Sequence, residues 1–190
     1  MILILTGGIG SGKSVAAGML NEMYGFPVYC ADKRVKELYE EHPNLLCDIE
    51  KELGCDLRDE YGLFMPAALA RKIFSDGEAL NKVEALVFPA LKEDLEKWMN
   101  EHPAKVHILE SATILEKEYF KGFGDFALVV TAPFEVRIRR AMERDSSSEE
   151  QVRARIQKQK MMNSYFHFLA TQRRVRHVVA SLIRLSRVSS

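Results

Sequence analysis

Cysteine is scarce in this chain, with only Cys30, Cys47 and Cys55. An odd number without metal-type spacing argues against a disulfide framework or a structural zinc site. Free thiols in a reducing compartment are the expectation. No apolar run approaches the length of a membrane span. The 27 basic residues match the 27 acidic ones, so there is no global field to attract nucleic acid. The N-terminus lacks a basic region followed by a cleavage site, and a cytoplasmic location is expected. The five histidines have no ligand-like spacing. One absence is local. Every acid lies at or before Glu150, while the last 40 residues hold nine Lys or Arg. A basic tail for nucleic acid is one reading of that segment.

What is present is a chain of 190 residues, 47% apolar, enough for one buried core with a small inserted subdomain. Its most informative stretch is Gly7-Gly8-Ile9-Gly10-Ser11-Gly12-Lys13-Ser14, a G-x-x-x-x-G-K-S loop. The apolar run Ile2 to Leu5 precedes it and a helix-compatible run, Val15 to Met23, follows. This strand–loop–helix order aims backbone N–H groups at a phosphate. Four glycines in six positions let the backbone wrap closely. Lys13 would reach the β- and γ-phosphates, and the Ser14 hydroxyl would ligate Mg²⁺.

Periodicity predicts strands over Ile2 to Thr6, Phe26 to Tyr29, Val106 to Leu109 and Phe126 to Thr131. Helices are expected from about Ser14 to Tyr24 and over Lys33 to Leu53, the latter interrupted at His42-Pro43. Further helices are expected over Pro66 to Phe74, Glu78 to Asn100, Phe134 to Arg144 and Gln151 to Lys160. Pro89 should kink or divide the one from Glu78. Alternating strands and helices imply a parallel sheet with right-handed crossovers.

Ligands of such sheets bind at the carboxyl ends of the strands. Asp32 follows the second strand and is the candidate general base for a hydroxyl substrate, although Asp also suits a helix N-cap. Glu110 ends the third strand and could orient a Mg²⁺ water or hold substrate, and Glu116 is a further polar candidate. Arg137, Arg140 and Arg144 share one helical face and could hold phosphates, as a lid would, or form a solvated basic face. Asn81-Lys82-Val83-Glu84 superficially resembles a guanine-reading motif but lies within an amphipathic helix.

The ordered set of motifs resembles the dephospho-CoA kinase family. It consists of Leu5 to Ser14, then Val28 to Asp32, Ile73-Phe74, Glu110 to Glu116, Arg137 to Asp145, Ser148 to Val152, Arg155-Ile156 and Gln159. Cys30 stands where the family has the first Asp of a D-x-D-like element. A His expected before Pro89 and an Arg expected near Pro66-Ala67 are missing. The resemblance implies a three-layer α/β P-loop kinase fold with a parallel sheet, a helical substrate-binding insertion and a lid. The implied single domain has its core at 1–60 and 104–136, the insertion at about 61–103, the lid at about 137–155 and an atypical basic tail at 160–190. The implied reaction is ATP-dependent phosphorylation of the ribose 3′-hydroxyl of dephospho-CoA, the last step of coenzyme A synthesis. Gly8, Gly10, Ser11, Gly12, Lys13, Ser14, Val15, Arg140 and Arg144 would bind ATP, with Lys13 and Arg140 also serving catalysis. Asp32 would be the base. Asp32, Glu110 and Glu116 would face the substrate, and Ser14 would hold Mg²⁺. A monomer or weak homo-oligomer is expected, without membrane or nucleic-acid partners. The rival readings are another small-molecule P-loop kinase or a non-catalytic nucleotide- or RNA-binding module. Beyond Gln159 the resemblance stops. An altered reading frame or a divergent tail would each produce the acid-free Lys160 to Ser190, and resequencing the coding DNA separates them.

Overall fold

The computed structural model describes residues 1–158 and 169–171. Most of the basic tail lies outside them. The described residues form two compact units: one holds Met1–Cys30 and the chain from Ala104 onward, the other Ala31–Pro103. The resemblance implied a helical insertion at about 61–103.

The first unit is built on β1 (Ile2–Thr6), β2 (Val28–Cys30), β3 (His107–Glu110), β4 (Phe126–Thr131) and β5 (Leu169–Thr171). They form a parallel sheet in the order β2-β3-β1-β4-β5. β3 is buried throughout, and β1 is buried except at Ile2, which explains their continuous apolar runs. Leu3 and Leu5, with Ile108, Leu128 and Val130, pack on Ala16, Ala17 and Leu20 of α1 (Lys13–Tyr24). Gly25 ends α1 in a left-handed conformation, its N–H donating to the Asn21 carbonyl. Strand register puts Leu5 of β1 and Cys30 of β2 beside Glu110 of β3 at the carboxyl edge. Two more helices, α6 (Phe134–Asp145) and α7 (Glu149–Lys158), bury Ile138, Ala141, Val152 and Ile156 against each other, with Ile9 packed on that cluster.

The second unit is helical: α2 (Ala31–Glu41), α3 (Pro43–Leu53), α4 (Pro66–Ser75) and α5 (Gly77–Glu101). α2 and α3 belong to it because Tyr39, Leu46 and Ile49 pack with Val83 and Val87 of α5. α5 runs undivided through Pro89. Its buried residues Ala79, Val83, Val87, Leu91 and Leu95 recur every fourth position on both sides of the proline. Burying five such side chains in one stripe outweighs the roughly 3 kcal/mol cost of an interior proline. Asp76 starts the helix by accepting the N–H groups of Glu78 and Ala79 at 2.9 and 3.1 Å. Arg34 ties α2 to α5 through a bidentate pair with Asp94 at 2.8 and 2.7 Å, and also holds Glu41 and Glu37. Those carboxylates keep its guanidinium charged at any accessible pH.

Burial, reinforced by the Glu84 charge, pushes the Tyr39 phenol up to about 12 from an ordinary 10.0. The unfolded chain therefore loses this proton first as pH rises. Stability is unaffected below pH 10 and falls by about 1.4 kcal/mol per pH unit from there to pH 12. Urea midpoints of wild type and Tyr39→Phe across that range test it, since the phenylalanine variant lacks this component of the loss. Equal alkaline losses in both proteins would rule Tyr39 out as the cause.

Candidate active site

The loop between β1 and α1 closes on itself, with the Ser11 N–H donating to the Gly8 carbonyl at 3.0 Å. Gly12, the N-cap of α1, is left-handed at φ 94°, where a side chain would be strained. No side chain caps that end of α1. Its first-turn N–H groups and dipole are thus directed at the space an anion would take.

Glu110 defines the other side of the loop. It is only 5% exposed. The Ser14 Oγ donates to its Oε1 at 2.6 Å, and the Lys13 Nζ lies 3.8 Å from the same oxygen. The turn after β3 is held by the Ser111 Oγ, which accepts the N–H groups of Thr113 and Ile114 at 3.3 Å each. Expected on the substrate side or at a Mg²⁺ water, Glu110 meets the two loop residues that phosphate and metal binding require. A serine hydroxyl and a buried carboxylate side by side are the hard oxygen donors Mg²⁺ prefers, so the residues present fit the ion.

α6 closes the arrangement. Arg140 NH1 lies 3.4 Å from the Ser11 carbonyl. The Arg137 Nε donates to the Ile9 carbonyl at 2.9 Å. Arg144 forms a bidentate pair with Asp145 at 2.7 and 3.1 Å, and Arg155 of α7 holds the same carboxylate at 2.7 Å. Arg144 first and then Arg155 keep the Asp145 carboxyl well below the usual carboxylate range. What the cluster contributes to joining α6 and α7 is therefore present above the unfolded value of 3.8 and is lost only in stronger acid.

A cleft of about 380 Å³ lies between the loop and α6. Gly8, Gly10, Ser11, Gly12, Lys13, Ser14, Val15, Arg140 and Arg144 line it, the residues for which the family resemblance implies ATP binding. Glu116 ends a short 3₁₀ turn, Ile114–Glu116, with its Oε1 buried and without a hydrogen-bond partner among the described residues. Asp32 stands two residues beyond Cys30, in the first turn of α2.

The dephospho-CoA kinase family profile matches residues 1–167. The chain belongs to this family. A dephospho-CoA kinase of Porphyromonas gingivalis is 38% identical over 160 residues, which span 84% of this chain and 78% of that protein. Another, from Aquifex aeolicus, is 36% identical over 147 residues, spanning 77% and 74%. Among solved structures, TT1252 from Thermus thermophilus superposes with a TM-score of 0.82 at 30% identity, covering 97% of both chains. The dephospho-CoA kinase from Campylobacter jejuni shares the fold at a TM-score of 0.64 and 21% identity, covering 95% of this chain and 96% of that one. The family accounts for the order of motifs from Leu5 to Gln159, and its match reaches eight residues beyond the point where those motifs end. Among the described residues no helix is long and apolar enough to cross a membrane.

Proposed function

We propose that this dephospho-CoA kinase family member transfers the γ-phosphoryl group of ATP to the ribose 3′-hydroxyl of dephospho-CoA. The observation that carries the reading is the cleft, where an uncapped helix N-terminus, Lys13, Arg140 and Arg144 converge on one space.

Each residue has a physical task. The loop N–H groups and Lys13 hold the phosphate chain. Arg140 and Arg144 add planar cations from α6, suited to charge spread over phosphoryl oxygens. Asp32 accepts the proton of the attacking hydroxyl. Ser14 would hold Mg²⁺, with Glu110 fixing the Ser14 hydroxyl and accepting from the ion's waters. When bound, the ion would neutralise charge between the β- and γ-phosphates. The chain's own groups supply the rest: binding, alignment of donor with acceptor, and removal of the hydroxyl proton.

Coupled detection of ADP tests the reading. Release should require dephospho-CoA and Mg²⁺ together and should yield a 3′-phosphorylated product by mass spectrometry. Faster turnover of a different alcohol from a panel of small hydroxyl compounds would favour the other-kinase reading. ATP binding without turnover of any acceptor would favour the non-catalytic one.

A further inference from the structure

The cleft explains Arg140 and Arg144 but leaves Arg137 unused, although it shares their helix and their charge. Its guanidinium turns instead to the crest of the phosphate loop, where Nε–H donates to the Ile9 carbonyl. Two further contacts meet at the same place. The backbone of α6 lies against Gly10, so a Cβ added there would sit 2.1 Å from the Arg137 carbonyl oxygen. Gly10 is also left-handed, at φ 71°. The Ile9 side chain packs on the cluster of Ile138, Ala141, Val152 and Ile156. The contact is therefore built from a charged hydrogen bond, a close backbone approach and an apolar anchor. Burial lowers the Arg137 pKa, and no carboxylate among the described residues pairs with it.

We propose that Arg137 is a positioning residue of the ATP site: by holding the Ile9 carbonyl it fastens the crest of the phosphate loop to α6. The loop N–H groups and the Arg140 and Arg144 guanidiniums are thereby set for the same phosphate chain. The proposal rests on the reading of the cleft as an ATP site. It explains why Gly10 carries no side chain, since a methyl group would part the loop from α6. It also separates three arginines that look equivalent in sequence. Two face the ligand, and one holds the backbone that the ligand binds.

Two substitutions separate this role from a direct phosphate contact. In glutamine the amide nitrogen is attached to Cδ, as the arginine Nε is, so Arg137→Gln keeps a donor at that place and loses the charge. Arg137→Met keeps the chain length and loses the donor. A charge-assisted hydrogen bond contributes about 1.5–3 kcal/mol, so the methionine variant should bind ATP roughly 10- to 100-fold more weakly. The glutamine variant should lose only about fivefold, since it gives up the charge-assisted part of the bond and keeps the rest. Calorimetric titration with ATP and Mg²⁺ reads the binding without any acceptor, so it still decides the point if dephospho-CoA proves not to be the substrate. In turnover, KM for ATP should rise in Arg137→Met while KM for dephospho-CoA stays constant, with a modest fall in melting temperature because the bond is already made without ATP. Equal loss of ATP affinity in both variants would make Arg137 a direct cationic contact and overturn the proposal. Wild-type affinity in both would also overturn it, as would a methionine variant whose melting temperature and both KM values shift together.

Discussion

Asp32→Asn should lower kcat by about 10²- to 10⁴-fold, the usual contribution of a positioned general base. Asparagine keeps the shape and one acceptor oxygen of aspartate but cannot take up the proton of the ribose hydroxyl. Both KM values should stay near wild type, because neither substrate is held through that proton. The competing account of Asp32 is structural. An acid in the first turn of α2 favours the helix dipole by about 0.3–1 kcal/mol. The two accounts separate in one pair of measurements, single-turnover rate and melting temperature. A variant that melts a little lower yet turns over within threefold of wild type would falsify the base assignment. A large fall in rate at nearly constant melting temperature supports it.

Lys13→Met should lower kcat/KM for ATP by about 10²- to 10³-fold, comparable to removing one preorganised donor from a developing charge. The structure adds a second consequence that the loop sequence does not carry. Lys13 Nζ lies 3.8 Å from a Glu110 carboxylate that is almost wholly out of water. Deleting the cation leaves that carboxylate with the Ser14 hydroxyl at 2.6 Å as its remaining partner on the loop. Stability should fall by about 1–3 kcal/mol, the cost of stranding a buried polar group. The double variant Lys13→Met with Glu110→Gln should recover most of the melting temperature and none of the activity. Recovery of activity, or a single variant within tenfold of wild-type kcat/KM, would remove Lys13 from the phosphate site.

Much of the first unit was legible without coordinates. Ile2–Thr6 and Phe126–Thr131 have the bounds their apolar runs suggested, and α1 differs from its expected start by one residue. The reason is that these signals are short-range: an apolar run between turn residues, a Gly that can go left-handed, a Pro that cannot continue a helix. The residues that line the cleft are local in the same sense. Seven belong to one unbroken loop and helix start. The other two sit four apart on α6, where helical spacing alone brings them to one face.

Other features could not be read this way. Pro89 signalled a kink or a division, yet α5 is undivided, with a stripe of buried side chains on both sides of the proline. Arg137 looked like a third phosphate cation, because spacing sets the face of a helix but not what a flexible side chain reaches from it. Glu110 could orient a Mg²⁺ water, hold substrate or be an ordinary strand-end acid. Its contact with Ser14 spans 96 residues and depends on the pairing of β1 with β3, which only the assembled parallel sheet creates.

The sequence by itself therefore determined the phosphate loop and the helix that presents Arg140 and Arg144, since both are written in residues close together along the chain, and the order of its motifs pointed to the family. Tertiary structure alone decided that Glu110 braces Ser14 and Lys13, that Arg137 holds the Ile9 carbonyl, and that α2 and α3 join the helical unit. Those are long-range contacts, and the register and burial that create them exist only once the strands and helices have packed.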